Sequence, residues 1–408
     1  MSNATDAYCV PGATDFNRAY SRLHGYIALV ICIVGSATNS INIAVLSRRE
    51  MTSSTNSILT GLAVADLLVM LEYIPYALHM NIKIGPQVNK NTYAWAVFVY
   101  FHSIFSQTFH TISIWLAVTL AVWRYVAIAY PQRNRTWCSK RNTTIAIVSA
   151  YVICPFLCLP FYFAMNIVPS EVTPLNNSEF AEDLSLPHNR TVYVLEMSKN
   201  VELVTAIMWI YSVILKLVPS IALSILSTCL ITKLTTTERR RQKLLKRSTV
   251  GPNEVLTKTA PLNMKHFDNN RKLSEKSNTR RSSRTDRTTR MLLAVLGLFL
   301  STEVPQGLLG LASALAPDFF KSCYSDLMDM LALFTSSVNF VLYCSMSRQF
   351  RCTFARLARR MLSAAEEPAK FGAKMEPTTQ VSMTDSFLCW LYWLHFYVAK
   401  ICNTDLFI

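Results

Sequence analysis

The sequence predicts an all-α membrane protein, a bundle of seven transmembrane helices with a short amphipathic eighth helix. The chain has 408 residues, of which 51% are hydrophobic and only 16% are charged. Several apolar stretches exceed the ~18 residues that indicate a membrane-spanning helix. One of them, from Ala94 to Trp123, contains no Lys, Arg, Asp, Glu, Pro or Gly. At ~1.5 Å per residue it is long enough to cross a bilayer with a tilt.

The basic residues lie on one set of interhelical connections, which indicates the orientation in the membrane. The net charge is +15, and Lys and Arg concentrate in residues 233–290, 133–141 and 348–360. The opposite connections hold few basic residues, a distribution that places the N-terminus outside. The N-glycosylation triplets at Asn3, Asn176 and Asn189 fall on this outer side. The charge therefore does not indicate nucleic-acid binding, and we expect a multi-pass protein of the plasma membrane.

Seven apolar segments make up the predicted transmembrane domain, residues 24–346, after an extracellular N-terminus of residues 1–23. They cover residues 24–47, 56–82, 94–131, 142–165, 202–234, 288–315 and 324–346. Residues 169–200 are predicted to form an acidic outer loop. Residues 235–286 form a basic inner loop, rich in Ser and Thr, that lacks hydrophobic periodicity. We expect this inner loop to be mostly disordered.

Residues 347–362 are predicted to form an amphipathic helix on the inner leaflet, because Phe350 and Phe354 are four residues apart among arginines. Residues 363–408 form a cytoplasmic tail that ends in an apolar, aromatic segment, residues 387–401, too short to span a membrane comfortably. That segment is open to two interpretations, contact with the membrane interface or a tail without function. The sequence has no internal repeat, which counts against an inverted-repeat transporter.

Single residues in these helices carry a resemblance to a known family. They are Asn39, Asp66, Arg124 within Trp123-Arg124-Tyr125, Pro219, Pro305 and the final segment Asn339-Phe340-Val341-Leu342-Tyr343. In this order they resemble the signature positions of the rhodopsin-like (class A) G-protein-coupled receptors, over residues 20–362. The resemblance implies a receptor that is not an enzyme and that activates a heterotrimeric G protein. It assigns Arg124 and Tyr125 to G-protein coupling, and Pro305, Asn339 and Tyr343 to activation.

The chain departs from the usual pattern of that family at three positions. Trp123 stands where an acid is usual, Phe340 where a proline is usual, and Glu303 where a tryptophan is usual. Asp286, at the foot of the sixth helix, is a candidate to restrain Arg124 in place of the missing acid.

The disulfide usual in that family is also missing. Neither the start of the third helix nor residues 169–200 contain a cysteine. Cys9 and Cys323 are the remaining outer cysteines, and they either form a disulfide or stay unpaired.

Three segments share these departures with the invertebrate myosuppressin receptors and their relatives. They are Thr302-Glu303-Val304-Pro305-Gln306-Gly307, Trp123-Arg124-Tyr125 and the run from Asn339 to Phe350. Those receptors recognise FMRFamide-like neuropeptides that end in Arg-Phe-amide. The resemblance implies an extracellular amidated neuropeptide as ligand and a Gi/o protein as partner. Receptor kinases and arrestin would act on Ser and Thr of the inner loop and tail.

Polar groups on the third helix indicate a cavity inside the bundle. Ser103, Gln107 and His110 share one face of that helix, and a helix that faced lipid all round would not carry them. A ligand ending in Arg-Phe-amide offers a guanidinium, a phenyl ring and a carboxamide, so its candidate contacts fall into three groups. The candidate acids are Glu72, Glu303 and Asp329, the candidate aromatic residues are Tyr76, Phe105, Phe109 and Trp209, and the candidate amides are Gln107 and Gln306.

Glu303 is open to two interpretations. An unpaired carboxylate at that depth is costly, so it must be protonated, paired or solvated. It either forms an internal pair with His110 or Gln306, or receives a cationic group of the ligand, and the two are compatible.

Asp66 is a second carboxylate inside the bundle and needs partners there. Oxygen atoms of Ser113, Thr335, Ser336 and Asn339 are predicted to surround it. The resemblance implies that Asp66, Ser113 and Asn339 belong to a sodium pocket, in which Na+ acts as an allosteric ion. The alternative is a structural Asp that is protonated or bridged by water.

Two other functions fit parts of the pattern. An ion or proton transporter would use Asp66, Glu303 and His110 as a relay. A receptor of the same fold for a small amine would place an acid at Ser106, and the sequence has none there.

Overall fold

The computed structural model describes residues 13–82, 91–171, 191–249 and 325–372, and in the sixth helix residues 293–294, 296–298, 300–308, 311–312 and 315. Several predicted features lie outside these described residues. They are Asn3, Asn176, Asn189, Cys9, Cys323, Asp286 and the aromatic tail segment 387–401.

The described residues are almost entirely helical. The helices are α1 (Ala13–Leu46), α2 (Ser54–Tyr76), α3 (Tyr93–Ala129), α4 (Pro131–Trp137), α5 (Lys140–Cys158), α6 (Val201–Trp209), α7 (Val218–Thr249), α8 (the described residues between 293 and 315), α9 (Ser325–Met346) and α10 (Arg348–Gly372). A π-helical segment, Ala77–Asn81, continues α2, and a 3-10 turn, Leu159–Phe163, follows α5. A second π-helical segment, Ile210–Leu217, joins α6 to α7 in one long helix.

Five helical segments of the described chain are long and apolar enough to cross a membrane. They are Leu23–Leu46, Ser54–Asn81, Tyr93–Ala129, Lys140–Phe163 and Val201–Thr237. A shorter apolar stretch, Asp329–Val341, lies in α9.

The start of α1 and the end of α7 differ from their predicted positions. α1 begins at Ala13, so the second half of the segment predicted as an extracellular N-terminus is helical. α7 continues to Thr249, so residues 235–249, the first part of the loop predicted to be mostly disordered at its centre, are helical. This stretch contains Glu, Gln, Lys, Arg and Leu and no Gly or Pro, and these residue types favour a helix even without hydrophobic periodicity.

The outer connection between α5 and α6 contains a β-hairpin that the sequence analysis missed. Strand β1 (Met165–Glu171) pairs antiparallel with β2 (Thr191–Met197), with Val168 opposite Val194. The backbone N–H of Tyr193 donates to the carbonyl of Asn91 at 2.9 Å, which fixes the hairpin beside the start of α3. Alternating β-branched residues in β2 were the signal for this strand.

Asn39 and Gly35 of α1 lie where this helix meets α2 and α9. Its side-chain amide donates to the carbonyl of Gly35 at 3.0 Å and, across the bundle, to the carbonyl of Ser336 in α9 at 3.1 Å. Gly35 has no side chain to keep α2 away, since a Cβ atom there would collide with the side chain of Met70. The close approach of α1, α2 and α9 therefore depends on these two residues.

α10 lies against the end of α9 through its aromatic face. Phe350 and Phe354 are buried, and both rings pack on Phe340 with centroids 5.9 and 5.7 Å apart. The guanidinium of Arg351 donates to the carbonyl of Cys344 at 2.9 Å, near the C-terminal end of α9. α10 ends at Gly372, ten residues beyond the predicted end at residue 362.

Candidate functional site

A polar cavity of about 270 Å³ lies between α2, α3, α8, α9 and the π-helical segment Ile210–Leu217. Five of the predicted ligand-binding residues line it: Tyr76, Gln107, His110, Gln306 and Asp329. Ser103 and Ser106, on the polar face of the third helix that was predicted to border a cavity, also line it. The other wall residues were not selected from the sequence as ligand contacts: Val69, Tyr73, His102, Tyr211, Lys216, Ala332, Leu333 and Ser336.

Glu303 is at the centre of a buried ionic cluster. Its side chain has no exposed surface, and one carboxylate oxygen, Oε1, lies 2.7 Å from Nε2 of His110. The other oxygen, Oε2, lies 2.9 Å from Nζ of Lys216, which also donates to Oε1 of Gln306 at 2.8 Å. These four residues, His110, Lys216, Glu303 and Gln306, are called the floor cluster below. The cluster connects α3, the long helix formed by α6, the π-helical segment and α7, and α8 at a single depth.

The backbone around Lys216 explains why its side chain points into the bundle. Lys216 lies in the π-helical segment, whose wider turns rotate its residues relative to a regular helix. Pro219 follows two residues after that segment, and its missing N–H and its ring interrupt the regular hydrogen-bond ladder. A Cβ atom on Gly307 would lie 2.9 Å from Cδ2 of Leu217 and 3.3 Å from Cβ of Lys216. The absent side chain of Gly307 thus lets α8 approach the stem of Lys216.

Lys216 is the member of the floor cluster that was not predicted from the sequence, although a lysine among apolar residues at that depth requires a buried acid. The sequence analysis considered His110 and Gln306 as internal partners of Glu303. His110 does contact Glu303. Gln306 contacts Lys216 instead.

Glu72 also has an internal partner. Its two carboxylate oxygens lie 2.9 and 2.7 Å from Nδ1 of His102. The His102 ring stacks on Tyr76, with centroids 3.9 Å apart, and Tyr73 contacts both rings edge-on. His102 and the two tyrosines line the cavity, whereas Glu72 lies behind them.

Asp329 differs from the other two acids because its side chain is exposed at the cavity wall. Asp329 lines the same cavity as Lys216 and Tyr211, and its charge acts on both of them.

Three of the predicted aromatic contacts lie elsewhere. Trp209 is 43% exposed and is not among the described residues that line the cavity. It is the last residue before the π-helical segment, and the rotation introduced there brings Tyr211 to the cavity instead. Phe105 and Phe109 line a separate apolar groove of about 290 Å³, where α3 meets Pro155 and Phe156 of α5.

Asp66 is buried and accepts three hydrogen bonds. Ser113 and Ser336 donate to Oδ1 at 3.0 and 3.1 Å, and the side-chain amide of Asn339 donates to Oδ2 at 3.1 Å. Thr335, the fourth predicted neighbour, donates instead to the carbonyl of Leu331. None of the three donors is cationic.

The residues predicted to couple to a G protein lie at the opposite end of α3 from the hairpin. Arg124 is partly buried, and its Nε atom has no hydrogen-bond partner among the described residues. Trp123, which replaces the usual acid, donates to Thr143 of α5 at 2.9 Å, so this residue connects two helices rather than restraining Arg124. The ring of Tyr125 contacts Tyr130 edge-on.

The two activation residues of α9 are both inside the bundle. Asn339 contacts Asp66, as described above, and Tyr343 is 2% exposed and packs on Phe350. Pro305 lies within the helical residues 300–308, between Glu303 and Gly307.

Most of the chain is similar to proteins of known families. The family model described as "Serpentine type 7TM GPCR chemoreceptor Srw" matches residues 26–259 and 262–361. The chain is 32% identical over 353 residues to the G-protein coupled receptor dmsr-1 of Caenorhabditis elegans, covering 83% of this chain and 68% of the relative. It is 26% identical over 367 residues to the Sex peptide receptor of Drosophila melanogaster, covering 85% of this chain and 74% of the relative. It is also 25% identical over 239 residues to the FMRFamide receptor of Drosophila melanogaster, covering 56% of this chain and 40% of the relative.

The floor cluster predicts a specific pattern of stability changes. Lys216→Met leaves the buried Glu303 without its cation, so we expect the unfolding free energy to fall by about 3–5 kcal/mol. Replacing both partners, in Lys216→Met/Glu303→Met, removes both charges and should recover most of this loss. The measurement is the thermal denaturation midpoint of the purified protein in detergent. The exposed Lys140→Met is the matched control, and a Lys216→Met protein as stable as that control would contradict the pairing.

Proposed function

This chain belongs to the serpentine seven-transmembrane G-protein-coupled receptors of the Srw family, and from that premise we propose that it is a receptor for an amidated neuropeptide ending in Arg-Phe. The family membership confirms the all-α seven-helix fold predicted from the sequence and makes the chain a multi-pass membrane protein and a receptor, not an enzyme. The rhodopsin-like (class A) pattern and the likeness to myosuppressin receptors are parts of the proposal.

The observation that carries the proposal is the arrangement of the three acids around the cavity. Glu303 contacts Lys216 and His110, and Glu72 contacts His102. Asp329 is the acid with its side chain exposed at the cavity wall. We assign the guanidinium of the ligand to Asp329, because its carboxylate is exposed in the cavity and a carboxylate–guanidinium pair is directional and can be bidentate. The interpretation in which Glu303 receives the ligand's cation is set aside, since Lys216 already neutralises that carboxylate.

The remaining cavity walls suit the other two groups of such a ligand. Tyr76 and Tyr211 provide aromatic surface for a phenyl ring or for stacking on the guanidinium. Gln107 and Gln306 provide amide groups for the carboxamide end. The names of the FMRFamide receptor and the Sex peptide receptor, two of the relatives, refer to a peptide.

Signalling would follow from a difference in the ligand's affinity for two states of the bundle. An agonist that binds the active state more tightly shifts the population toward it. In that state Arg124, Tyr125 and the basic inner surface would contact a heterotrimeric G protein, which the resemblance assigns to the Gi/o class. The N-terminus would lie outside the plasma membrane, and kinases and arrestin would act on the inner loop and the tail.

We propose that the pocket around Asp66 holds a sodium ion. Na+ prefers oxygen ligands, and the carboxylate of Asp66 meets the hydroxyl groups of Ser113 and Ser336 there without a cationic side chain among its hydrogen-bond partners. The side-chain amide of Asn339, whose nitrogen donates to Asp66, would turn its oxygen toward the ion. Asp66, Ser113, Ser336 and Asn339 would hold the ion, which would supply the missing positive charge and favour the resting state.

Neither alternative function is favoured by an observation. A transporter relay through Asp66, Glu303 and His110 would need these groups to connect, but the hydrogen bonds of Asp66 go to Ser113, Ser336 and Asn339. A receptor for a small amine would need an acid at Ser106, which lines the cavity as a neutral hydroxyl group.

The proposal predicts that the peptide Phe-Met-Arg-Phe-amide activates nucleotide exchange on a Gi/o protein in membranes that contain the receptor. Asp329→Asn should raise the half-maximal concentration at least ~10-fold, since the guanidinium loses its counter-charge. Glu196→Gln, at an exposed acid of β2, is the control and should leave potency unchanged. Unchanged potency in Asp329→Asn at equal surface expression would remove Asp329 from the site.

The sodium pocket predicts a salt-specific stabilisation. Replacing choline chloride by NaCl at constant ionic strength should raise the thermal denaturation midpoint of the purified receptor, because an ion that binds only the folded state stabilises it. Asp66→Asn should abolish this difference. An equal midpoint in both salts for the unmodified receptor would argue for a structural Asp66 without an ion.

A further inference from the structure

We propose that Lys216 sets the net charge of the cavity floor to zero, so that the receptor accepts a neutral, hydrogen-bonding ligand end such as a primary carboxamide and rejects a charged end. The inference rests on the proposed function, because it concerns which end of the peptide reaches the floor. The side chain of Lys216 is only 1% exposed, although it belongs to the cavity wall. It is therefore a positioning residue, which acts on the ligand through the charge and orientation of Glu303 and Gln306.

The charges of the floor cluster balance internally. Lys216 contributes one positive charge and Glu303 one negative charge, at a distance of 2.9 Å. Nε2 of His110 lies 2.7 Å from the other oxygen of Glu303, and Gln306 is neutral. The ring of Tyr211 lies 5.8 Å from Nζ of Lys216 and adds no charge. The charges of Lys216 and Glu303 therefore sum to zero.

A balanced floor discriminates between ligand ends by their charge. With Asp329 paired to the guanidinium of the ligand, a carboxylate or an ammonium placed against the floor would lose water without gaining a counter-charge, and an uncompensated charge in a site without water is costly. A carboxamide has no charge to compensate and can exchange its hydrogen bonds with water for bonds with the cavity wall.

Gln107 adds a second, independent preference for a carboxamide. The hydroxyl of Thr111 donates to the backbone carbonyl of Gln107 at 2.8 Å, so its oxygen can only accept from the Gln107 side chain. That bond, 3.2 Å long, must therefore come from the side-chain nitrogen, Nε2. The other end of the Gln107 amide is the oxygen Oε1, an acceptor at the cavity wall. A ligand carboxamide can donate an N–H to this oxygen, whereas a carboxylate has no proton to donate.

The test combines receptor variants that differ in the charge of the floor cluster with peptides that differ in the charge of their C-terminal end. The receptors are the unmodified chain, Glu303→Gln, Lys216→Met and the double variant Lys216→Met/Glu303→Gln. The ligands are Phe-Met-Arg-Phe with an amide, a free-acid or a positively charged aminoethylamide end. The measurement is the half-maximal concentration for G-protein nucleotide exchange at matched surface expression.

The unmodified receptor should prefer the amide over both charged forms by at least ~10-fold. Glu303→Gln leaves the charge of Lys216 uncompensated, so the potency of the free-acid peptide should rise at least ~10-fold relative to that of the amide. Lys216→Met leaves the charge of Glu303 uncompensated, so the potency of the aminoethylamide peptide should rise relative to that of the amide instead. The double variant should prefer the amide again. If Lys216→Met does not reach the surface, Lys216→Gln makes the same charge change with a polar side chain.

Two results would overturn the inference. If the cluster were only structural, each variant would weaken all three ligands equally and their potency ratios would stay constant. If the unmodified receptor preferred the free acid, the floor would carry a net positive charge.

A receptor that responds to none of the three peptides would refute the proposed function, and the inference then has a separate readout. Millimolar N-acetyl-phenylalaninamide should raise the thermal denaturation midpoint of the purified unmodified receptor, and N-acetyl-phenylalanine should do so only in Glu303→Gln. If the two probes stabilised the unmodified receptor and Glu303→Gln in the same way, the inference would be overturned without any signalling measurement.

Discussion

A carboxylate with no contact to water must have its charge balanced inside the protein, and Glu303 shows how this chain meets that requirement. Its two oxygens contact Lys216 and His110, which belong to two other helices. Removing either charge alone would leave the other buried and unpaired, which is the costly case for an ion pair. The Lys216–Glu303 pair therefore fixes the rotation of the long α6–α7 helix relative to α8. It thereby also fixes the shape and the charge of the cavity above.

The neighbouring backbone is consistent with that requirement. The π-helical segment Ile210–Leu217 turns Lys216 inward, and Gly307 lets α8 come close enough for the contact. Elsewhere in the bundle, residues that depart from the usual pattern of the rhodopsin-like receptors have structural contacts of their own. Trp123 bonds Thr143, and Phe340 is the surface on which α10 packs.

The sequence was sufficient to predict the fold class, the positions of the helices and the residues around Asp66. Apolar segments of membrane-spanning length are a local signal, and so is an amphipathic repeat such as Phe350 and Phe354. Three of the four oxygen sources predicted for Asp66, namely Ser113, Ser336 and Asn339, do contact it. The extension of α7 to Thr249 was missed because weak periodicity was given more weight than helix propensity.

The composition of the cavity wall was harder to predict, because it depends on helix rotation. A π-helical segment changes which residues face inward, and the sequence pattern of an apolar membrane helix does not reveal where such a segment begins. Trp209 was therefore assigned to the cavity in place of Tyr211. The partner of Glu303 was missed for the same reason, because Lys216 is 87 positions away in the chain and its orientation depends on that segment.

The most direct test of the account is a cryo-electron microscopy structure of the receptor with an Arg-Phe-amide peptide bound. We expect the peptide guanidinium within hydrogen-bonding distance of Asp329, with Lys216 still bonded to Glu303 and the carboxamide near Gln107. A guanidinium bonded directly to Glu303, with Lys216 displaced from it, would contradict the account.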